Sequence, residues 1–328
     1  MELQRLNLIL IAISSFFLTF ILYPFYIKLL QKLKAKILRE DATSKAEIFN
    51  QLHKSKITPT MALILFVALI MILISVFLQK KYIKYSLISQ KETYILIFAF
   101  FSMGILLVDD FLNIRMGKVK LTAKMKLVWM FLFSAFIAYW MYFKLGINYI
   151  IFWDEKIYIF FYLLITFIFT VKLVNAVNIT DLDLAGILVM IFLAFGVMTY
   201  FQGWYIATTL IAIINSALIA FLWYNINPAK VFMDSALAFI IASIIYLLIK
   251  LIWTIIIILL FIFFIELSSF LQIFSKKIFK RKIFDIAPFH HNLEYHGYAE
   301  YTIVMKMWLV QIVLTIISLI IFFYQISI

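Results

Sequence analysis

Cysteine is absent from the 328 residues, which excludes disulfides, thiolate catalysis and any cysteine-containing zinc site. Charge is scarce as well: 14% of the residues are charged and 66% are hydrophobic, whereas soluble domains carry about 25% charged residues. With a mean hydropathy of +1.09, this balance excludes an ordinary soluble domain and describes a polytopic membrane protein. Seven glycines and four prolines leave little material for tight turns. The net charge of +13 does not mark a nucleic-acid partner, because the basic residues lie between apolar spans instead of on one soluble face. Membrane orientation and anionic ligands account for them better. The first apolar stretch, residues 6–30, exceeds a signal-peptide h-region and lacks a small-residue cleavage site, so it is read as a retained span.

Crossing the hydrocarbon core takes about 20 apolar residues. Runs near that length occupy residues 6–31, 60–79, 93–108, 124–143, 157–177, 184–202, 204–222, 235–249, 251–274 and 303–325. The expected architecture is therefore all-α, a single integral membrane domain over residues 1–328 with about ten transmembrane helices. The splits at Gln202-Gly203 and near Lys250 are the softest. Lys and Arg number 18 in alternate connections counted from the first and seven in the others. The positive-inside rule then places the first set in the cytoplasm and both termini on the periplasmic side, although Lys80, Lys81, Lys84 and Lys91 oppose it.

Under this topology the chemically capable polar groups share one face. In ILLVDDFLNIR, residues 105–115, an apolar run stops on Asp109 and Asp110. A carboxylate at the end of a membrane helix is costly unless water, a cation or a base meets it, and an oxygen-only donor pair suits Mg²⁺. The bland alternative is a solvated helix end. The first cytoplasmic connection offers Lys54, Lys56 and Thr58 to phosphate, or is an ordinary basic loop. NAVNITDLD, residues 175–183, sets Asn175, Asn178, Asp181 and Asp183 between two spans; helix capping explains one of them, not all. FLWYNINPAKVFMD, residues 221–234, supplies Asn225, Phe232 as a stacking face, and Asp234 as a third carboxylate. Lipid or core packing is the competing account of Phe232. APFHHNLEYHGYAE, residues 287–300, holds three of the four histidines. His290 and His291 with Glu294 suit metal binding, proton transfer or a pyrophosphate, and as neighbours that cannot share a helical face they are expected on a loop. Carboxylates are read only near span ends, with Lys172 the one charge well inside a span, which disfavours a transporter.

These five blocks, in order and over nearly the whole chain, resemble the polyprenyl-phosphate N-acetylhexosamine-1-phosphate transferases. TPTM, NPAKVFMD and PFHHNLEYHG favour the branch that handles phospho-MurNAc-pentapeptide over its relatives that use UDP-GlcNAc. The resemblance implies a ten-helix enzyme of the bacterial inner membrane with a cytoplasmic active site. It would transfer phospho-MurNAc-pentapeptide from UDP-MurNAc-pentapeptide to undecaprenyl phosphate, forming lipid I and UMP, with Mg²⁺ as cofactor, no nucleic acid, and room for a homodimer. Carried over by position, Asp109 and Asp110 fall on the family's aspartate pair and Asp234 on its magnesium-binding aspartate; Asp110 is the second carboxylate expected to share the metal. Phe232 falls on the uracil-stacking aromatic, Asn175, Asn178 and Asp181 or Asp183 on the nucleotide loop, and His290 and His291 on the histidine motif. The chain departs from the family pattern at TPTMALIL, TDLDLAG and VFMDSALA, where glycines are missing, and at Asn292, which replaces a third histidine. A UDP-GlcNAc transferase and a catalytically decayed paralogue acting as a membrane interaction protein are the alternatives.

Overall fold

A computed structural model describes residues 2–32, 123–143, 184–226 and 252–327. In hydrocarbon every backbone N–H and C=O must find a partner within its own segment, and the apolar runs accordingly form helices. They are α1 (Glu2–Lys32), α2 (Ala123–Phe143), α3 (Leu184–Phe201), α4 (Tyr205–Asn225), α5 (Ile252–Ile278), α6 (Phe289–Tyr295) and α7 (Glu300–Ser327). No strand occurs among the described residues. Stretches within α1, α4, α5 and α7 are each long and apolar enough to cross a membrane, and α3 adds a shorter apolar helix over Ala185–Phe201. Six of the ten expected spans thus coincide with helices. The runs at 60–79, 93–108, 157–177 and 235–249 lie outside the described residues.

The expected break at Gln202-Gly203 is a turn. Gly203 has φ +76, its N–H donates to the Tyr200 carbonyl and that of Trp204 to Thr199. This left-handed C-terminal cap reverses the chain, and glycine adopts it without the Cβ penalty. The hairpin it makes is closed by the Thr208 hydroxyl donating to Thr199 Oγ1 at 3.0 Å.

The α3–α4 hairpin is the core, with α1 against α4 and α7 against α3. On α1 the buried positions Ile11, Ser15, Thr19, Tyr23 and Ile27 recur every fourth residue. Ser15 and Thr19 are small enough to admit α4 closely, as membrane helix pairs require. The Ser15 hydroxyl donates to the Ile213 carbonyl at 3.0 Å. Leu6, Ile13, Phe17, Ile21 and Phe25 on the other side of α1 are exposed, an apolar surface suited to lipid. On α7, Gln311 and Ser318 are fully buried and reach α5: Gln311 Nε2 donates to the Ile258 carbonyl and the Ser318 hydroxyl to that of Thr254.

Paired contacts fix helix directions. Ser15 meets Ile213 and Phe20 meets Tyr224, so α1 and α4 run parallel. Gly186 abuts Trp308 and Phe201 meets Phe323, so α3 and α7 run parallel too. The Thr199–Thr208 and Ile258–Gln311 contacts make α3–α4 and α5–α7 antiparallel. The end of α1, the start of α3, the ends of α4 and α5 and the start of α7 therefore lie at one end of the bundle, with the 202–204 turn at the other.

Candidate active site

Of the residues singled out in the sequence, Asn225, His290, His291 and Glu294 are described, and all four sit at that shared end. Asn225 closes α4 and is fully buried. Lys54, Lys56, Thr58, Asp109, Asp110, Asn175, Asn178, Asp181, Asp183, Phe232 and Asp234 lie outside the described residues.

The histidines are not on a loop, as expected, but in the first turn of the short helix α6, where His290 is 3% and His291 9% exposed. Adjacent helical residues point roughly 100° apart, so a common face is not what buries them. Enclosure does: α6 is wedged between α5 and α7, and both directions meet protein. The two rings lie 4.2 Å apart between centroids. His291 Nδ1 is 3.0 Å from Glu294 Oε2, one turn along α6. A carboxylate only accepts, so this contact puts a proton on Nδ1, and Nε2 is the acceptor of the neutral ring.

A helix of seven residues has little stability of its own, and α5 and the adjoining loop hold this one in place. Ser268 on α5 accepts the Phe289 N–H at 3.0 Å; the N-cap residue, Pro288, makes no side-chain cap of its own. The Gln272 carboxamide donates to the Phe284 carbonyl at 2.6 Å and accepts from the Ile283 and Phe284 N–H groups, each at 3.0 Å. Ser275 donates to the Arg281 carbonyl at 2.8 Å. From α6, Asn292 Oδ1 accepts the Asp285 N–H at 3.1 Å and that of Ile286 at 3.4 Å. At the far end, Gly297 at φ +89 terminates α6, the Gly297 N–H donating to Glu294 O and that of Tyr298 to Leu293 O.

The sequence reading missed these supports. Their signal was present: Ser268, Gln272 and Ser275 recur at four- and three-residue spacing in an apolar helix, the mark of one face with a polar task. It also missed Glu266. Reading carboxylates only near span ends is corrected by this side chain, which sits well inside α5 and is 6% exposed. Such a residue faces protein or water, not lipid.

Among the described residues no group of three or more His, Asp or Glu could hold a metal ion. The imidazoles of His290 and His291 would in any case be poor partners for Mg²⁺, which prefers oxygen. The all-carboxylate set expected for it lies outside the described residues.

Residues 92–251 match the family model Glycosyl transferase family 4. A phospho-N-acetylmuramoyl-pentapeptide-transferase of Geobacillus sp. is 33% identical over 319 residues, 92% of this chain and 94% of that protein. Proteins of the same name from Caldanaerobacter subterraneus and Staphylococcus epidermidis are each 31% identical, covering 98% and 94% of this chain and 99% and 97% of their own lengths. The chain belongs to the phospho-N-acetylmuramoyl-pentapeptide-transferase family. Membership in that family makes it a membrane-embedded transferase. The helix carrying His290 and His291, gripped from α5, is the best-defined part of its candidate site.

Proposed function

We propose that the chain transfers phospho-MurNAc-pentapeptide from UDP-MurNAc-pentapeptide to undecaprenyl phosphate, releasing UMP and forming lipid I at the cytoplasmic face of the bacterial inner membrane. The observation that carries this reading is near-full-length similarity to phospho-N-acetylmuramoyl-pentapeptide-transferases. It is supported by the helix directions, which set Asn225 and the His290–His291 helix at one end of the bundle.

A phosphate oxygen of the acceptor attacks the sugar-linked phosphorus of the donor, and the bond from that phosphorus to the oxygen bridging it to UMP breaks. The protein mostly supplies position and charge complementarity for such a transfer. Asp109 orients or deprotonates the acceptor phosphate. Asn175, Asn178 and Asp181 or Asp183 bind the nucleotide sugar, and Phe232 stacks on the uracil, a contact worth about 1–3 kcal/mol for a base on an aromatic ring. Lys54 and Lys56 hold phosphates, with Thr58 as a hydroxyl donor. His290 and His291, fixed in the α6 turn, bind the pyrophosphate. Carboxylate oxygens from Asp234 and Asp110 suit Mg²⁺, which when bound would neutralise phosphate charge and ease UMP departure.

The deciding experiment measures UMP release from UDP-MurNAc-pentapeptide and from UDP-GlcNAc in membranes carrying the chain. Release from the first donor alone, cut by about 10²-fold or more in Asp109→Asn, Asp110→Asn and Asp234→Asn, matches the proposal. Turnover of UDP-GlcNAc alone identifies the sister activity, and no release from either donor identifies a decayed paralogue. Near-normal turnover in one variant removes that aspartate's role.

A further inference from the structure

The end of α5 carries a charge cluster that the transferase reading does not use. Lys276, Lys277, Lys280, Arg281 and Lys282 are all exposed within seven positions. Among the described residues none of the five is paired with a carboxylate. The nearby acids are engaged elsewhere, Asp285 with His296 at 3.3 Å and Glu294 with His291. Interleaved with the cations are large apolar side chains that are also exposed: Ile278, Phe279 at 65% and Ile283.

This stretch is held in shape. Gln272 binds the backbone of Ile283 and Phe284, and Ser275 that of Arg281. Lys280 has φ +55, a left-handed conformation that glycine adopts freely and lysine does not. The helix thus ends on a cation where the backbone favours glycine.

A nucleotide or an acidic protein would satisfy the cations and leave Phe279 and Ile283 in water. A bilayer surface of anionic phospholipid satisfies both, with ammonium groups at the headgroups and the aromatic and aliphatic side chains at the acyl boundary. The location fits, because the cluster begins where the span Thr254–Ile278 ends. We propose that residues 276–283 form a docking surface for anionic phospholipid headgroups of the leaflet at that end of the bundle. The proposal rests on the membrane embedding of α5 and not on the transferase reading, so either can fail alone.

The test uses the full chain in nanodiscs. Because the chain lacks cysteine, Ile278→Cys gives a unique site for a fluorophore. Quenching is compared for headgroup-spin-labelled phosphatidylglycerol and phosphatidylcholine at equal mole fraction. The expected result is about twofold or greater preference for phosphatidylglycerol, lost when all five cations are replaced by glutamine and retained when the four lysines are replaced by arginine. In the chain with native cations the preference should also collapse at about 1 M salt, where the Debye length is about 3 Å; this arm does not depend on any charge variant folding. Equal quenching by the two lipids, a preference that survives the glutamine variant or high salt, or its displacement by millimolar inorganic phosphate at fixed ionic strength would each overturn the proposal.

Discussion

Pro24 lies inside α1, where its missing N–H leaves the Phe20 carbonyl without the usual helical donor. The Tyr224 hydroxyl of α4 donates to that carbonyl at 3.1 Å, and Phe20, Tyr23 and Phe221 pack around the contact. One residue's backbone deficit is thus met by another's side chain some two hundred positions away. Tyr224→Phe is expected to destabilise the fold by about 0.5–1.5 kcal/mol, the range for interhelical hydrogen bonds in membranes. In a Pro24→Ala background, where the carbonyl regains its donor, most of that loss should vanish. Detergent-to-denaturant unfolding of the four proteins of this cycle checks it; equal losses in both backgrounds would mean that the hydroxyl's contribution does not depend on the carbonyl that Pro24 leaves without a helical donor. Pro24 was visible in the sequence, and Tyr224 lay within a block singled out for other reasons. Their pairing was not legible, because it depends on which helices touch and in which direction they run.

Among elements, the least autonomous is the most informative. Helix α6 has seven residues and a sequence, FHHNLEY, that reads as a polar loop because its histidines face different ways. What makes it a helix lies outside it, in Ser268 and Gln272 of α5, and at its own end in Gly297, which permits the left-handed cap. Long apolar spans were legible because lipid leaves a backbone few alternatives; a short helix held by tertiary bonds leaves no periodic trace. Asn292 shows the limit well: in sequence it is a missing histidine, and in the structure its carboxamide oxygen gathers two loop N–H groups. Gln272→Leu removes three hydrogen bonds to the 283–284 backbone while keeping the side chain's bulk. Amide exchange at Ile283 and Phe284 is expected to accelerate by about tenfold or more per 1.4 kcal/mol lost, with the α3–α4 hairpin unaffected. Transfer activity should fall alongside it if α6 belongs to the site. Unchanged exchange at those two amides would show that Gln272 does not hold the loop. Gly297→Ala tests the other end: a Cβ at φ +89 is expected to cost about 1–2 kcal/mol, read as a lower unfolding midpoint, although the position has open space around it.

For the whole molecule, the helix directions carry more than the helix count does. Charge counting placed alternate connections on one side of the membrane, and the packing independently puts the ends of α1, α4 and α5 and the starts of α3 and α7 together. The positive-inside rule proposes that this end faces the cytoplasm. The absence of cysteine makes this directly measurable. Single substitutions Gln202→Cys, at the turn, and Lys282→Cys, beyond α5, are exposed to a membrane-impermeant maleimide in intact spheroplasts and again after permeabilisation. Gln202→Cys should label in both conditions and Lys282→Cys only after permeabilisation. The reverse pattern would turn the bundle over and place His290 and His291 outside the cell, where a nucleotide-sugar donor made in the cytoplasm could not reach them. Labelling of both sites in intact spheroplasts would contradict the helix directions themselves, since α7, which begins beyond Lys282, could not then run parallel to α3, which ends at the turn.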